Sequence, residues 1–297
     1  MSFLTVVIPA YNEESSLEEY LPRVIKYCTE KDYKLIIVND GSKDKTKSIC
    51  ERFQKEYENF KLVNHKVNRG YGGAIKTGVL NTKSKYVITI DADGQHDLSD
   101  IDVLLKEIIA TDADMIVGNR GKQSGISYRG IGKSLIRLFA KLLMSFDIND
   151  INSGMKIYRT DLGREYQHLC PNGMSYSDII LLIFINSKHF VLERPIKINK
   201  RIDGVSTINT MTAFETIKEI VNIVMLFNPL KIFIPLALII FLISIAWGIP
   251  IVLRGDGVSV GTMLGVLSSI IFLAIGFIAE QIAQVRLGSV NYQNNKI

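Results

Sequence analysis

Short apolar runs rich in β-branched residues alternate with helical patterns along the N-terminal part of the chain. Five runs predict strands, because each is bounded by polar residues: "LTVVI", "KLIIVN", "KLVNH", "YVITI" and "DMIVG". Between the first two, residues 15–28 repeat apolar positions at the helical period, and Pro22 predicts a kink or a late helix start. The predicted core face of this helix is Leu17, Tyr20, Leu21, Val24, Ile25 and Cys28. Strands that are apolar on both faces and separated by helices predict an α/β fold with a mostly parallel sheet covered on both sides.

Two longer apolar segments near the C-terminal end predict a membrane hairpin. Residues 232–253 and 258–279 each run for 22 residues without a charge. At about 1.5 Å per residue, each helix is long enough to cross roughly 30 Å of hydrocarbon. Only "RGDG" (254–257) joins them, so the chain returns to the side on which it started. The alternative, two buried helices of a soluble core, is disfavoured because core helices of this length normally carry a polar face.

These patterns predict the order of domains along the chain. Residues 1–210 form the α/β domain, 211–229 an amphipathic juxtamembrane helix, 230–282 the hairpin and 283–297 a tail. Within the α/β domain, residues 127–146 set apolar side chains on one helical face and basic side chains elsewhere, which is typical of a helix in a membrane interface. For both amphipathic segments, an ordinary core helix is the alternative.

The charges that flank the hairpin predict its orientation. Lys231 and Arg286 lie on the side of the domain, whereas Arg254 in the link is balanced by Asp256, so a cytoplasmic domain at the cell membrane is favoured. The first residues contain neither a basic region nor a cleavage site, so we expect no signal peptide. The three cysteines lack metal-like spacing and fit a reducing compartment. The net charge of +5 suits an anionic lipid surface as well as ordinary solvated lysines, and we expect no nucleic-acid partner.

Four polar segments directly follow the predicted strands: "PAYNEE", "NDGSKDKT", "NRGYGGAIKTG" and "DADGQH". Because ligands of parallel sheets bind at the carboxyl ends of the strands, we expect these loops to gather on one edge. Singly, each has a structural explanation, such as a turn at "NDGS", helix capping by Asn12 and Glu13, or close packing at the glycines. A dinucleotide fingerprint is disfavoured, because the glycines follow the third strand and lack an acidic ribose ligand in the expected place.

Asp91 and Asp93 stand one residue apart at the end of the fourth predicted strand. Their negative charges would repel each other unless a cation or a hydrogen-bond donor compensates. Mg²⁺ takes one or two carboxylates together with phosphate oxygens and waters. Gln95 adds a neutral oxygen, and Gly94 allows the backbone to bend between them. The segment therefore predicts a divalent cation bound together with a phosphate-containing substrate.

At this point the sequence resembles a known family. The segments "VVIPAYNEE", "IIVNDGSKDKT", "NRGYGGAIKTG" and "IDADGQH", in this order, are similar to the inverting family-2 glycosyltransferases with a GT-A fold, over most of residues 4–210. The trailing "QH", the later "INSGMKIYR" and the hairpin most resemble the polyprenyl-phosphate glycosyltransferases. The resemblance implies an enzyme that moves a hexose from a nucleotide-diphosphate sugar to an undecaprenyl or dolichyl phosphate.

The resemblance also implies roles for individual residues. The expected nucleotide pocket is Pro9, Tyr11, Glu13, Val38 and Asp40. The expected ribose and phosphate contacts are Asp91 and Ala92, the ligands of Mg²⁺ or Mn²⁺ are Asp93 and Gln95, and the basic residues for phosphate are Arg120 and Arg201. Two positions depart from the family pattern: Thr207 stands where relatives often have a lysine, and Asp150 is the acidic residue nearest to Ser153.

Asp178 lies where family members with hydroxyl acceptors place a catalytic carboxylate. A phosphate monoester has a second pKa of about 6 and arrives ionised, so we expect Asp178 to orient groups at most, with helix capping as the alternative. Asp93, Arg201 and Asp178 are the expected catalytic residues. Stabilisation of the leaving diphosphate by the metal and Arg201, together with positioning, would supply the rate.

Two other functions remain open from the sequence. A processive polysaccharide synthase shares the early motifs but typically carries "QxxRW", whereas the single tryptophan, Trp247, lies within a predicted span. A non-catalytic membrane scaffold of the same fold is disfavoured by the intact acidic and basic positions. Gly261 and Gly265 have the G-x-x-x-G spacing that is suggestive of packing between copies in a homo-oligomer.

Overall fold

The structure, a computed structural model, describes residues 2–121, 148–199, 221–222 and 224–294, with side chains up to residue 288. The chain divides into two compact units, Met1–Ile126 with Phe146–Thr207, and Ser127–Ser145 with Ile208–Ile297. The predicted interfacial helix (127–146), most of the predicted juxtamembrane helix (211–229), Arg201 and Thr207 lie outside the described residues.

The first unit is built on a sheet that has seven strands among the described residues. The strands are β1 (Leu4–Ala10), β2 (Lys34–Asn39), β3 (Phe60–Asn64), β4 (Tyr86–Thr89), β5 (Met115–Asn119), β6 (Lys156–Arg159) and β7 (Val191–Pro195). They lie in the order β3-β2-β1-β4-β6-β5-β7, and β6 alone among them runs antiparallel to its neighbours. The five predicted strands and the mostly parallel sheet are confirmed.

Two strands were not predicted, β6 and β7. β6 is only four residues long and carries a lysine in its first position, while β7 has Glu193 and Arg194 in its middle and is only partly buried. Neither shows the continuous apolar pattern that predicts a central parallel strand. β6 inserts between β4 and β5, and it therefore separates two strands that a simple parallel order would make neighbours.

Helices cover the sheet of the first unit. They are α1 (Glu14–Glu30), α2 (Thr46–Gln54), α3 (Tyr71–Asn81), α4 (Ser99–Thr111), α5 (Thr160–Tyr166) and α6 (Tyr176–Asn186). The predicted core face of α1 is buried in full, whereas the late start is wrong, because α1 begins at Glu14 and contains Pro22. The N–H of Glu14 donates to Asp44 Oδ2 at 3.1 Å, and no side chain of the residue preceding α1 caps it.

The second unit contains two long apolar helices, α7 (Leu230–Leu253) and α8 (Val260–Asn294). Both are long and apolar enough to cross a membrane. Few of their described side chains are buried, unlike those of a core helix in a soluble protein, and the two-helix hairpin is confirmed. Its link, Arg254–Ser259, is longer than the predicted "RGDG", and α8 continues through most of the segment predicted as a tail.

Small residues bring α7 and α8 together within the hairpin. A Cβ atom on Gly265 would lie 2.0 Å from Ser244 Oγ, and one on Gly248 would lie 2.5 Å from Thr262 Cγ2. Small residues of this kind allow close approach of membrane helices. Gly265 therefore packs inside the hairpin, and packing between copies of the chain stays a prediction. A Cβ atom on Gly261 would meet no atom closer than Ser259 Oγ, at 3.9 Å.

Candidate functional site

The parallel strands β1, β2 and β4 end on the same edge of the sheet. Ala10 pairs with Asn39 at the end of β1 and β2, and Val7 pairs with Thr89 at the end of β4. The loops that follow are tied together: the N–H of Asn12 donates to Ser42 Oγ at 3.0 Å, and the N–H of Lys43 donates back to Asn12 Oδ1 at 2.9 Å. The polar segments therefore gather at one edge, as the sequence predicts.

Asp40 organises the glycine-rich loop that follows β3. Its Oδ1 lies 2.6 Å from His65 Nδ1 and accepts the N–H of Arg69 at 2.8 Å, and its Oδ2 accepts the N–H of Gly70 at 2.8 Å. The other ring nitrogen of His65 contacts the hydroxyl of Thr77 in α3 at 2.8 Å. Asp40 is buried, so its carboxylate fixes the loop that leads into α3.

The other residues of the expected nucleotide pocket differ in exposure. Val38 has no exposed surface, and Pro9, its partner in the sheet, is also buried. Tyr11 is 42% exposed and Glu13 is half-buried. In this conformation only the last two of these four residues present substantial surface at the edge.

The acidic segment after β4 forms a tight turn. Asp93 is buried, and its Oδ1 accepts the N–H of Gln95 at 3.1 Å across Gly94, whose φ of 74° makes the expected bend. The half-buried Asp91 accepts the hydroxyl of Tyr71 on Oδ1 at 3.0 Å, and its N–H donates to Nδ1 of His96 at 3.2 Å. Hydrogen-bond donors therefore reach both carboxylates.

The loop before β6 forms a wall against Asp91. A Cβ on Gly154 would lie 2.4 Å from Asp91 Oδ2, so a larger residue here would force this carboxylate or the loop to shift. The carbonyl of Gly154 accepts the hydroxyl of Thr89 at 2.7 Å, which ties the same loop to β4. Ser153 and Gly154 belong to the family motif "INSGMKIYR", but the contact with Asp91 follows only from the placement of β6.

Arg120 and Asp150 form an ion pair at the same edge. The guanidinium donates to both carboxylate oxygens of Asp150 at 2.8 Å, and the N–H of Arg120 donates to Oδ2 at 3.0 Å. Hydrogen bonding to Asp150 raises the pKa of Arg120 above its usual value. Burial would raise the pKa of Asp150, but the hydrogen bonds and positive charge of Arg120, together with the charge of Lys156, lower it below its usual value.

Lys156 is the principal site residue that sequence reasoning missed. It is 1% exposed, and burial lowers its pKa to about 8, against the opposing influence of Asp178, Asp150 and Asp91. A charged residue at the start of a short apolar segment, "KIYR", was the available signal. Asp178 lies half-buried in the first turn of α6 and belongs to the same charged cluster.

The acidic turn offers oxygen ligands for a divalent cation. In the described ranges up to residue 294, no three His, Cys, Asp or Glu side chains form a group that could hold a metal. Asp91, Asp93 and Gln95 instead provide two carboxylates and one amide. Such a set suits Mg²⁺ or Mn²⁺ only when phosphate oxygens and waters complete the shell. The residues therefore fit a cation that arrives with a diphosphate substrate.

Comparison with protein families assigns both units. Residues 5–166 match glycosyl transferase family 2, and this match covers more than half of the chain. The chain belongs to glycosyl transferase family 2. Residues 228–285 of this glycosyltransferase match a second family, the GtrB C-terminal hairpin. The combination places the chain in the polyprenyl-phosphate glycosyltransferase group, as the sequence motifs predict.

Relatives of this family-2 glycosyltransferase include dolichyl-phosphate beta-glucosyltransferases. That of Trichomonas vaginalis is 36% identical over 170 residues, which are 52% of this chain and 53% of the relative. That of Saccharomyces cerevisiae is 29% identical over 249 residues, which are 75% of this chain and 74% of the relative. The glycosyltransferase spans about half the length of the first two curated relatives it matches.

Among solved structures, glucosyl-3-phosphoglycerate synthase from Mycobacterium tuberculosis has a similar fold, with a TM-score of 0.57 at 17% identity. The match covers 75% of this glycosyltransferase and 80% of that chain, which was crystallised with Mn²⁺, UDP-glucose and phosphoglyceric acid. At this level of identity the likeness shows the fold alone, and it confirms the predicted GT-A architecture.

Proposed function

We propose that this glycosyltransferase transfers a hexose from a nucleotide-diphosphate sugar to a polyprenyl phosphate. One observation carries the proposal: a family-2 domain and a GtrB-type hairpin occur in one chain. The relatives named dolichyl-phosphate beta-glucosyltransferase support it and make glucose the first sugar to test. The acceptor is an undecaprenyl or dolichyl phosphate, and its polyprenyl chain stays in the bilayer.

The donor binds at the carboxyl edge of the sheet. Tyr11 and Glu13 contact the nucleoside, while Asp91 and the turn at Asp93 and Gln95 hold the diphosphate. A divalent cation, Mg²⁺ or Mn²⁺, neutralises the developing charge of the leaving diphosphate when it is bound. Arg201, which belongs to the family motif, stabilises the same negative charge on the leaving diphosphate. The buried Asp40 acts on this pocket by fixing the glycine-rich loop.

The reaction is a direct displacement. A phosphate oxygen of the acceptor attacks the anomeric carbon, the bond from that carbon to the diphosphate breaks, and the configuration inverts. The acceptor is already ionised at neutral pH, because its second pKa is about 6, so no strong general base is required. Asp178 then orients neighbouring groups. Holding donor and acceptor in register supplies most of the rate.

In this proposal, the enzyme is a membrane protein with two spans and a cytoplasmic catalytic domain. The apolar surfaces of α7 and α8 support two spans. Lys231 and Arg286 stand on one side of the hairpin, and the link at Arg254 is balanced by Asp256, which supports the orientation. Cysteine labelling from either side of intact vesicles tests it. Labelling of a cysteine in the link from the outside, and of one in the α/β domain from the inside, is the expected result.

Purified full-length enzyme, supplied with short polyprenyl phosphate, Mg²⁺ or Mn²⁺ and a panel of nucleotide sugars that begins with UDP-glucose, tests the reaction. We expect consumption of one donor, formation of a polyprenyl-phosphate sugar, and loss of turnover on chelation. Asp93→Asn removes a charge at the acidic turn and is expected to lower turnover by at least about 100-fold.

Asp161→Asn is the matched control. Asp161 is exposed and pairs with Arg159, which lies opposite Tyr86 at the other end of β4 from the acidic turn. Normal turnover of this variant is expected. Repeated addition of sugar to one acceptor would instead identify a processive synthase. Failure to consume any donor would identify a non-catalytic scaffold and overturn the proposal. Full activity of Asp93→Asn would show that a metal bound at Asp93 is not required.

A further inference from the structure

Lys156 lies at the start of β6, in the interior of the sheet, with 1% of its surface exposed. Its Nζ donates hydrogen bonds to the carbonyls of Ile151 at 3.0 Å and Ser153 at 2.5 Å, and to Ser177 Oγ at 2.5 Å. The Ser177 hydroxyl in turn donates to the Ser153 carbonyl at 2.7 Å. An ammonium has three N–H donors, so all of them are used to join the loop before β6 to the first turn of α6.

Charged groups surround this ammonium on several elements. Asp91 follows β4, Asp150 precedes β6 and Asp178 lies in α6, and each favours the charged form of Lys156. Arg120, at the end of β5, opposes it. A buried cation is stable only when it is paired and hydrogen-bonded. Lys156 is therefore an internal counter-charge for the acidic groups of the candidate active site.

The contacts of Lys156 lead directly to the acidic turn. The carbonyl of Ser153 that accepts from Lys156 is followed by Gly154, which lies against the carboxylate of Asp91. Thr89 holds the carbonyl of Gly154 from the other side. A shift of the Ser153 carbonyl therefore moves the wall against which Asp91 rests.

We propose that Lys156 is a positioning residue for the donor site, because its ammonium holds the 151–154 loop in the place where it fixes Asp91. This role rests on the proposed function and extends it to a residue outside the expected nucleotide and metal contacts. Lys156 has no surface with which to touch substrate, so it acts through Ser153 and Gly154.

The pH dependence provides a signature of this role. As pH rises through about 8, the ammonium loses a proton and with it one of its three N–H donors. Because the pKa in the folded state lies below the usual 10.5, the folded chain binds fewer protons than the unfolded chain between these values, and this group adds stability as pH rises there. Activity is therefore expected to fall near pH 8 without loss of folded protein.

The experiment measures transfer from the donor that wild type consumes in the panel, with Mg²⁺, from about pH 6.5 to 9.5. Lys156→Met removes the charge and all three N–H groups. We expect the KM for the nucleotide sugar to rise about tenfold or more, and the fall in activity near pH 8, the high-pH limb of the profile, to disappear. Lys156→Arg retains a cation that stays charged, so it is expected to move the limb above the measured range. Lys61→Met is the matched control, because Lys61 is exposed and bonds Asn81 in α3.

Ser177→Ala serves as a milder variant that keeps Lys156 and removes one of its acceptors. We expect the limb to move to lower pH, because fewer groups stabilise the ammonium. Melting curves at each pH separate loss of activity from unfolding. A wild-type profile that is flat to about pH 9.5, or the same limb in Lys156→Met and wild type, would overturn the role of Lys156. Absence of transfer by wild type with every donor would instead overturn the proposed function.

Discussion

The hydroxyl of Tyr71 donates a hydrogen bond to Asp91 Oδ1 at 3.0 Å, and it joins the glycine-rich loop to the acidic turn. Burial raises the pKa of Tyr71 well above its usual value, and the negative charge of Asp91 adds to this effect. The hydroxyl therefore remains a proton donor throughout the working range of pH. Two loops that lie 20 residues apart in sequence are in this way held at a fixed separation.

Replacement of Tyr71 by phenylalanine tests this link. A hydrogen bond to a charged group contributes about 1.5–3 kcal/mol, so we expect transfer efficiency to fall about 10- to 100-fold. The change is expected mainly in the donor KM, measured with the nucleotide sugar that wild type consumes. Tyr57→Phe, at an exposed position between α2 and β3, is expected to leave both constants unchanged. Wild-type kinetics in Tyr71→Phe would show that Asp91 is held by other contacts.

Gly154→Ala tests the wall beside Asp91. The added methyl would lie 2.4 Å from Asp91 Oδ2, so either the carboxylate or the 151–154 loop must move. We expect a loss of about 1–3 kcal/mol in stability and a larger loss of activity than the melting temperature explains. Gly288→Ala, which meets no atom within 4 Å, controls for the substitution. Equal donor affinity in Gly154→Ala and wild type would contradict the contact.

Asp178→Asn separates orientation from general-base catalysis. If the acceptor phosphate is the nucleophile, the rate constant is expected to fall by less than about tenfold, because no proton must be removed. The variant also removes a charge that raises the pKa of Lys156, so the high-pH limb is expected to move to lower pH. The measurement is the pH profile of transfer. A loss of more than about 1000-fold would indicate a required base at this position.

Gly265 and Gly261 offer a paired test of the hairpin. A leucine at Gly265 would occupy the space of Ser244, and we expect the full-length protein in detergent to lose about 1–3 kcal/mol of stability. A leucine at Gly261 meets more open space and is expected to be tolerated. Thermal unfolding of both variants is the measurement. The reverse order of stability would contradict the packing of α7 on α8.

The sequence predicts the parts of the fold in which the residue pattern of a segment agrees with the structure that the segment adopts. The strands β1 and β2 and the hairpin are continuous apolar runs, and α1 repeats apolar residues at the helical period, so pattern alone identifies them. β6 could not be recognised, because its four residues begin with Lys156, and a buried lysine contradicts the rule that core strands are apolar. The ammonium is tolerated because three acceptors and nearby carboxylates surround it. The Ile151 and Ser153 carbonyls are local, whereas Ser177, Asp91 and Asp178 come from distant positions in the chain.

The candidate site was predictable in position and only partly in contacts. The acidic pair at the end of β4 predicts the edge, since parallel strands end together. The pairing of Arg120 with Asp150 and of Asp40 with His65 could not be predicted, because each depends on loops that separate the partners by 30 and 25 residues. Spacing in sequence does not fix which side chain a buried carboxylate will meet.

The ion pair between Arg120 and Asp150 has a consequence for changes in the length of the chain between β5 and β6. The chain leaves the sheet after β5 at Arg120 and returns before β6 at Asp150. The ion pair between these two residues holds the two ends of the connection together. The entropic cost of closing a loop rises only slowly with its length. Insertions or deletions between Arg120 and Asp150 are therefore expected to leave the strand register intact. Arg120 and Asp150 therefore mark two attachment points between which the length of the chain can change while β5 and β6 keep their pairing.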